Sequence, residues 1–126
     1  MKKILIVDDV LGWQNYHKEI LTELLKEANI TTASSAREGY DLLLQHNSMP
    51  FDIIITDLHM EADFEPKYAG EWFVEQIKTF KSYINTKIII SSAAYNIKNI
   101  AEEYGVEYLP KSRAVKFPQS YEALIN

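Results

Sequence analysis

The sequence predicts an open, doubly wound α/β sheet in which five strands alternate with five helices. The blocks Ile4-Leu5-Ile6-Val7, Phe51 through Thr56 and Ile88-Ile89-Ile90 are continuous apolar runs rich in β-branched residues. Strands buried on both faces read this way, and such strands belong to parallel sheets. Stretches with helical spacing of apolar residues lie between the blocks. A repeated β-α order with right-handed crossovers then puts helices on both faces of the sheet.

Each element has its own signal. Strand one is Ile4 to Val7, and the first helix is expected from Gly12 to Ala28, with Ile20, Leu21, Leu24 and Leu25 on one side. A weaker strand, Ile30 to Ala33, follows. Ser35 to Glu38 forms a capping-box pattern, in which each side chain is expected to satisfy the other's free N–H. The second helix behind it shows an apolar face of Ala36, Tyr40, Leu43 and Leu44. Strand three spans Phe51 to Thr56, and the third helix starts near Gly70 and presents Phe73, Ile77 and Phe80. After strand four, a fourth helix presents Ile97, Ile100, Ala101 and Tyr104 and stops at Gly105, a natural left-handed cap. Strand five is Val106 to Leu109, and the fifth helix begins at Pro118, a good first-turn residue, with Tyr121, Leu124 and Ile125. Leu58 to Ala69 is a long connection for a compact α/β unit, and loops of that length are usually functional or mobile.

Composition narrows the function classes. A chain of 126 residues with 47% apolar and 25% charged content fits one domain, residues 1–126, with a real core. With no cysteine there is no disulfide or thiolate metal site, which suits a reducing cytoplasm. The four-residue apolar run behind Met1-Lys2-Lys3 is too short for a signal-peptide core, and no run reaches the ~20 residues that span a bilayer. A formal net charge of −5 argues against direct nucleic-acid binding. The three histidines, His17, His46 and His59, fall on separate elements without metal-ligand spacing, so no zinc site is read. Trp13, near the start of the first helix, is either core packing or a neighbour of the strand-end site.

Ligands of open α/β sheets bind beyond the carboxyl ends of the strands. Asp8 and Asp9 follow strand one, Asp57 follows strand three, Ser91 and Ser92 close strand four, and Lys111 trails strand five. Taken singly, each has a local explanation: Asp9 or Ser92 as a helix cap, Asp57 as a turn former, Lys111 as a solvated side chain. Taken together they point elsewhere. Three carboxylates at one sheet edge repel one another unless a cation intervenes, and Mg²⁺ is a hard cation suited to oxygen ligands. A carboxylate beside Mg²⁺ is a nucleophile toward a phosphoryl group, with the lysine and a serine hydroxyl left to contact its oxygens. No histidine–acid pair is evident for ordinary hydrolysis.

With these residues in place, the chain resembles the receiver domain of bacterial two-component response regulators, of the chemotaxis-regulator type. The resemblance covers essentially all 126 residues and rests on Ile4 to Asp9, Phe51 to Asp57, Lys87 to Ala93 and Tyr108 to Lys111, in order and at near-family spacing. It implies a flavodoxin-like (βα)5 fold with strand order 2-1-3-4-5. It also implies that Asp57 is the phosphoacceptor, with Mg²⁺ held by Asp8, Asp9, Asp57 and the backbone carbonyl of His59. Ser92, with Ser91 as the fallback if the register slips by one, and Tyr108 would be the switch pair. Lys111 would contact the phosphoryl group, and His59 sits where the family tunes the lifetime of the phosphorylated state. The implied partners are a histidine kinase or phosphotransfer protein and an output target, met through the face of helix four, strand five and helix five. That same face would serve a homodimer. The implied role is that of a phosphoacceptor that catalyses its own phosphorylation and dephosphorylation rather than an enzyme acting on a separate substrate.

Some features depart from the family. Ser112 rather than proline follows Lys111, while Pro110 precedes it. The Leu58 to Ala69 loop is longer than usual and adds Glu61, Asp63 and Glu65, and the Ser92 to Lys111 stretch is a little short, which points to a reduced helix four or entry to it. These departures leave room for a receiver-like interaction module that works without phosphorylation. An aspartyl-phosphate phosphatase of the haloacid-dehalogenase type needs Asp-x-Asp after strand one, where position ten is Val10. A flavin or dinucleotide binder needs a phosphate-cradling loop there, which Gly12 alone does not supply.

Overall fold

The computed structural model describes residues 1–60 and 68–125. Five parallel strands form one sheet in the order β2-β1-β3-β4-β5. They are β1 (Lys2–Val7), β2 (Ala28–Ala33), β3 (Ile53–Thr56), β4 (Lys87–Ser92) and β5 (Glu107–Pro110). The helices are α1 (Leu11–Leu24), α2 (Ala36–Gln45), α3 (Ala69–Thr79), α4 (Ile97–Tyr104), α5 (Lys111–Lys116) and α6 (Ser120–Ile125), with a 3-10 turn at Lys81–Tyr83. This is the flavodoxin-like arrangement with order 2-1-3-4-5.

The sheet divides the core in two, because alternate residues of a strand face opposite ways. Leu5, Val7, Ile54, Ile88 and Ile90 pack under α2, α3 and α4 with Leu43, Phe73, Val74, Ile77 and Ile100. Ile4, Ile6, Ile53, Ile55 and Ile89 pack on the other side with Leu21, Tyr121 and Ile125. Burying one such side chain is worth about 1.5–3 kcal/mol, so the continuous apolar runs hold the sheet between its helices.

Several boundaries differ from expectation. α1 stops at Leu24 rather than Ala28, because Leu25 is already extended (φ −116°) and Ala28 pairs with Lys2, starting β2 two residues early. β3 begins at Ile53, with Phe51 buried just ahead of it. The capping box is half formed. Ser35 Oγ accepts from Glu38 N at 3.1 Å, but Glu38 Oε1 accepts from Ser34 N, at 3.3 Å, instead of Ser35 N. On α2 the buried face is Ala36, Gly39 and Leu43; Leu44 is exposed and Tyr40 half-buried. A Cβ on Gly39 would stand 2.9 Å from the Phe73 ring, so glycine lets α2 approach α3. The last helix is split: α5 starts directly at Lys111, and α6 starts at Ser120 rather than Pro118. Gly105 ends α4 in the left-handed conformation, φ 66°, as expected. Glu61, Asp63 and Glu65 of the long loop lie outside the described residues.

Candidate phosphoacceptor and metal site

Backbone hydrogen bonds carry the sheet one residue past its strands. Asp8 N donates to Ala33 O at 3.0 Å and Asp57 N to Val7 O at 2.9 Å, so Asp8 and Asp57 leave the sheet edge side by side. One carboxylate oxygen from each of Asp8, Asp9 and Asp57 lies within 4.8 Å of the others. Asp8 and Asp57 are buried and Asp9 is exposed. Across the sheet, Ser92 pairs with Pro110, which caps α5, so Lys111 emerges just beyond the same edge. Its Nζ stands 2.9 Å from Asp8 Oδ2 and 2.9 Å from Asp57 Oδ2. The contact to Asp57 is an aligned hydrogen bond, whereas Asp8 Oδ2 has no well-aligned donor and meets Lys111 as a charge contact.

The local explanations can now be judged. Asp9 does not cap α1: Val10 is the N-cap, without a side-chain bond. Lys111 is 8% exposed and therefore not a solvated side chain. Ser92 does not cap α4, whose N-cap is Asn96; its Oγ accepts from Ala94 N at 3.2 Å. Asp57 does brace its turn, since Oδ1 accepts from Leu58 N (2.7 Å) and His59 N (3.3 Å). That leaves Oδ2 facing Lys111. Asp8 is fixed in the same way, with Oδ1 accepting from Val10 N at 2.9 Å.

Electrostatics mark the site as short of positive charge. Burial raises the pKa of Asp8 above the ordinary carboxylate value, the Val10 N–H and Lys111 offset part of this, and the neighbouring Asp57 charge raises it further. Burial alone would lower the pKa of Lys111, but its hydrogen bond to Asp57 and its close contact with Asp8 outweigh that and raise it. The ammonium is therefore charged throughout the neutral range. Three carboxylates against one ammonium leave two negative charges uncompensated within the cluster. A divalent cation matches that remainder, and three hard oxygen donors with Asp9 open to solvent suit one that keeps water ligands. The residues present fit a divalent metal.

Of the other predicted site residues, Ser91 and Ser92 are both buried at the end of β4, and Ser91 Oγ has no hydrogen-bond partner among the described residues. Tyr108 is half-buried, packs against the core on the α2–α4 side and lies opposite Ile90. The His59 side chain is exposed, with its ring 4.3 Å from that of Tyr68.

Two contributors escaped the sequence reading, and a third was open there between two places. Gln14 is buried, with Nε2 2.7 Å from Asp8 O, 3.1 Å from Ser34 Oγ and 3.4 Å from Ala33 O, and so ties the acid pair to the end of β2. Gly70 lets α3 sit against the acceptor turn, because a Cβ there would stand 2.0 Å from Asp57 O. The Trp13 ring lies 4.9 Å from Lys111 Nζ. Gly70 carries a signal, a glycine at a helix start after a long loop, and of the two places open to Trp13 the structure supports the one beside the strand-end site.

Comparison with known proteins agrees with this geometry. The family model of the response regulator receiver domain matches residues 4–114. The chain belongs to that family; it is a receiver of the kind found in two-component signalling. Among solved structures it is similar to a response regulator receiver domain from Clostridium thermocellum, with 29% identity, 88% of this chain and 82% of that one covered, and TM-score 0.69. It is also similar to the response regulator TrrA from Thermotoga maritima, solved in complex with Mg²⁺-BeF, with 26% identity, 98% and 99% coverage and TM-score 0.72. The Mn²⁺-bound response regulator Rcp1 shares the fold at 23% identity, with 92% and 85% coverage and TM-score 0.75. No curated protein sequence matches the chain. No helix among the described residues is long and apolar enough to cross a membrane.

Proposed function

We propose that the chain accepts one phosphoryl group on Asp57 from a histidine kinase or phosphotransfer protein. The observation that carries this is the position of Lys111, 2.9 Å from both Asp8 and Asp57 in a cluster completed by Asp9. Asp8, Asp9, Asp57 and the His59 carbonyl would hold Mg²⁺, as TrrA is seen with Mg²⁺-BeF. Bound there, the metal neutralises charge on the incoming phosphoryl oxygens.

The chain's own residues do the rest. Two backbone N–H groups fix Asp57 through Oδ1, so Oδ2 is the attacking oxygen. It forms the new O–P bond as the donor's P–N bond breaks, and the electron pair of that bond leaves with the donor imidazole. Lys111 turns from Asp8 toward the phosphoryl oxygens, and Ser92 Oγ exchanges its Ala94 contact for another of them. Tyr108, half-buried against the core, follows Ser92 and alters the surface of α4, β5 and the short helices behind it, where an output target reads the change. On this reading the protein is an acceptor that promotes its own phosphorylation and dephosphorylation, not an enzyme with a separate substrate.

The test is phosphorylation by a small acyl phosphate, followed by intact mass. Wild type should gain one phosphoryl group and Asp57→Asn none, with the same circular dichroism. Modification of Asp57→Asn would place the acceptor elsewhere.

A further inference from the structure

We infer that Trp13 is a positioning residue for Lys111, its indole face keeping the ammonium directed at Asp57 when a cation takes up the carboxylates that now share it. This rests on the acceptor reading above and names a further residue in that site.

Among the described residues, three groups hold the Lys111 ammonium: Asp8 Oδ2 and Asp57 Oδ2, each at 2.9 Å, and the Trp13 ring, centroid at 4.9 Å. Both carboxylates belong to the acidic cluster. A divalent cation arriving there competes for the oxygens that now anchor the lysine and repels its charge. The indole does not enter that competition, since a neutral carbon face attracts an ammonium through its quadrupole and binds no hard metal. It is the one support of the three that survives loading of the site.

The ring is itself held in place. Its centroid lies 5.5 Å from that of Tyr16, edge-on at 80°, and 5.5 Å from that of His17. Tyr16 in turn donates its hydroxyl to Ala114 O, 2.9 Å away in α5, the helix that begins with Lys111. The indole face and the ammonium over it are thus anchored to one another through α1 and α5. The simpler alternative is that Trp13 only fills space beside Val10, Gly12, Tyr16 and Val115, which line an apolar surface hollow with it. Leucine would fill that space as well, but it has no π face.

The experiment measures the rate of phosphoryl acceptance from a small acyl phosphate at saturating Mg²⁺ for wild type, Trp13→Leu and Trp13→Phe. The same pair, with and without Trp13→Leu, is measured in Lys111→Ala. Trp13→Leu should be slower by about three- to ten-fold, the size of one partly desolvated cation–π contact. Trp13→Phe should recover most of the rate, and Trp13→Leu should have no further effect in Lys111→Ala, because the two residues act as one unit. A Trp13→Leu rate equal to wild type, no recovery with phenylalanine, or the same loss in Lys111→Ala would each overturn the inference. Should Lys111→Ala accept nothing, the phenylalanine comparison decides alone. If wild type accepts nothing, it is the acceptor reading that fails.

Discussion

On one side of the sheet, helices of 10, 11 and 8 residues (α2, α3, α4) cover the strands with a broad apolar face. On the other, α1 is followed only by α5 and α6, of 6 residues each. Six residues make less than two turns, too short to hold a helix without outside support. Hydrogen bonds from α1 supply it here. Tyr16 bonds the Ala114 carbonyl of α5, and His17 Nδ1 pairs with the Tyr121 hydroxyl of α6 at 2.6 Å. The contrast has a functional side. A hydrogen bond adds direction to packing, and Lys111 is the first residue of α5. The other side has hydrogen bonds too, from Tyr83 to the Leu43 carbonyl of α2 and from Tyr104 of α4 to Glu71 and Glu75 of α3, but there they add to a broad apolar face, whereas the short α5 depends on them.

The largest effect tests the tightly packed side. Gly70→Ala would drive a Cβ into the Asp57 carbonyl and should cost about 3 kcal/mol or more by denaturant unfolding. A cost within experimental error would show that α3 moves freely over the acceptor turn. The next concerns His17, which is buried and whose pKa is lowered to about 4 from 6.5, mainly by burial and then by the Lys111 charge. The unfolded chain therefore takes up this proton first as pH falls. The stability due to the neutral, buried ring is complete above pH 6.5 and is lost on acidification toward pH 4. By linkage that loss is about 3 kcal/mol. His17→Gln should lose this part of the pH slope, and unchanged slopes in the two proteins would remove His17 from the account.

A smaller effect is expected for Tyr16→Phe, which leaves the Ala114 carbonyl without its hydroxyl partner and should cost about 1 kcal/mol. If it were neutral, the claim that hydrogen bonds anchor α5 would fail. The smallest is Leu44→Ser. Leu44 is 52% exposed, so the change should stay within about 0.5 kcal/mol by the same unfolding measurement. A larger loss would mean that α2 buries the face first read from sequence.

The two sides also differed in how readable they were. The strands and the acids at their ends were legible because continuous β-branched runs are rare outside doubly covered strands, and Asp8, Asp9 and Asp57 directly follow them. Lys111 was legible by the same reasoning, although the helix it opens was not. Pro118 suggested a single late helix start, whereas α5 is held by Tyr16, far away in sequence, and no local pattern reports such a contact. For the same reason the sequence did not show the buried His17–Tyr121 pair or Gln14 behind Asp8, and it left Trp13 open between core packing and a place beside the strand-end site. Leu44 was misplaced because Gly39, which has no side chain to mark it as apolar, faces the core, and the buried stripe runs through Ala36, Gly39 and Leu43.

The central claim, that Asp57 is the acceptor, is tested most directly by mapping the modified residue. Protein phosphorylated with a small acyl phosphate and Mg²⁺ would be reduced with borohydride, which converts an acyl phosphate to an alcohol, and its peptides sequenced by mass spectrometry. The account predicts one reduced side chain, at position 57, absent when Mg²⁺ is chelated. Reduction at position 8 or 9, or a phosphoryl group that resists borohydride on a serine, would contradict it.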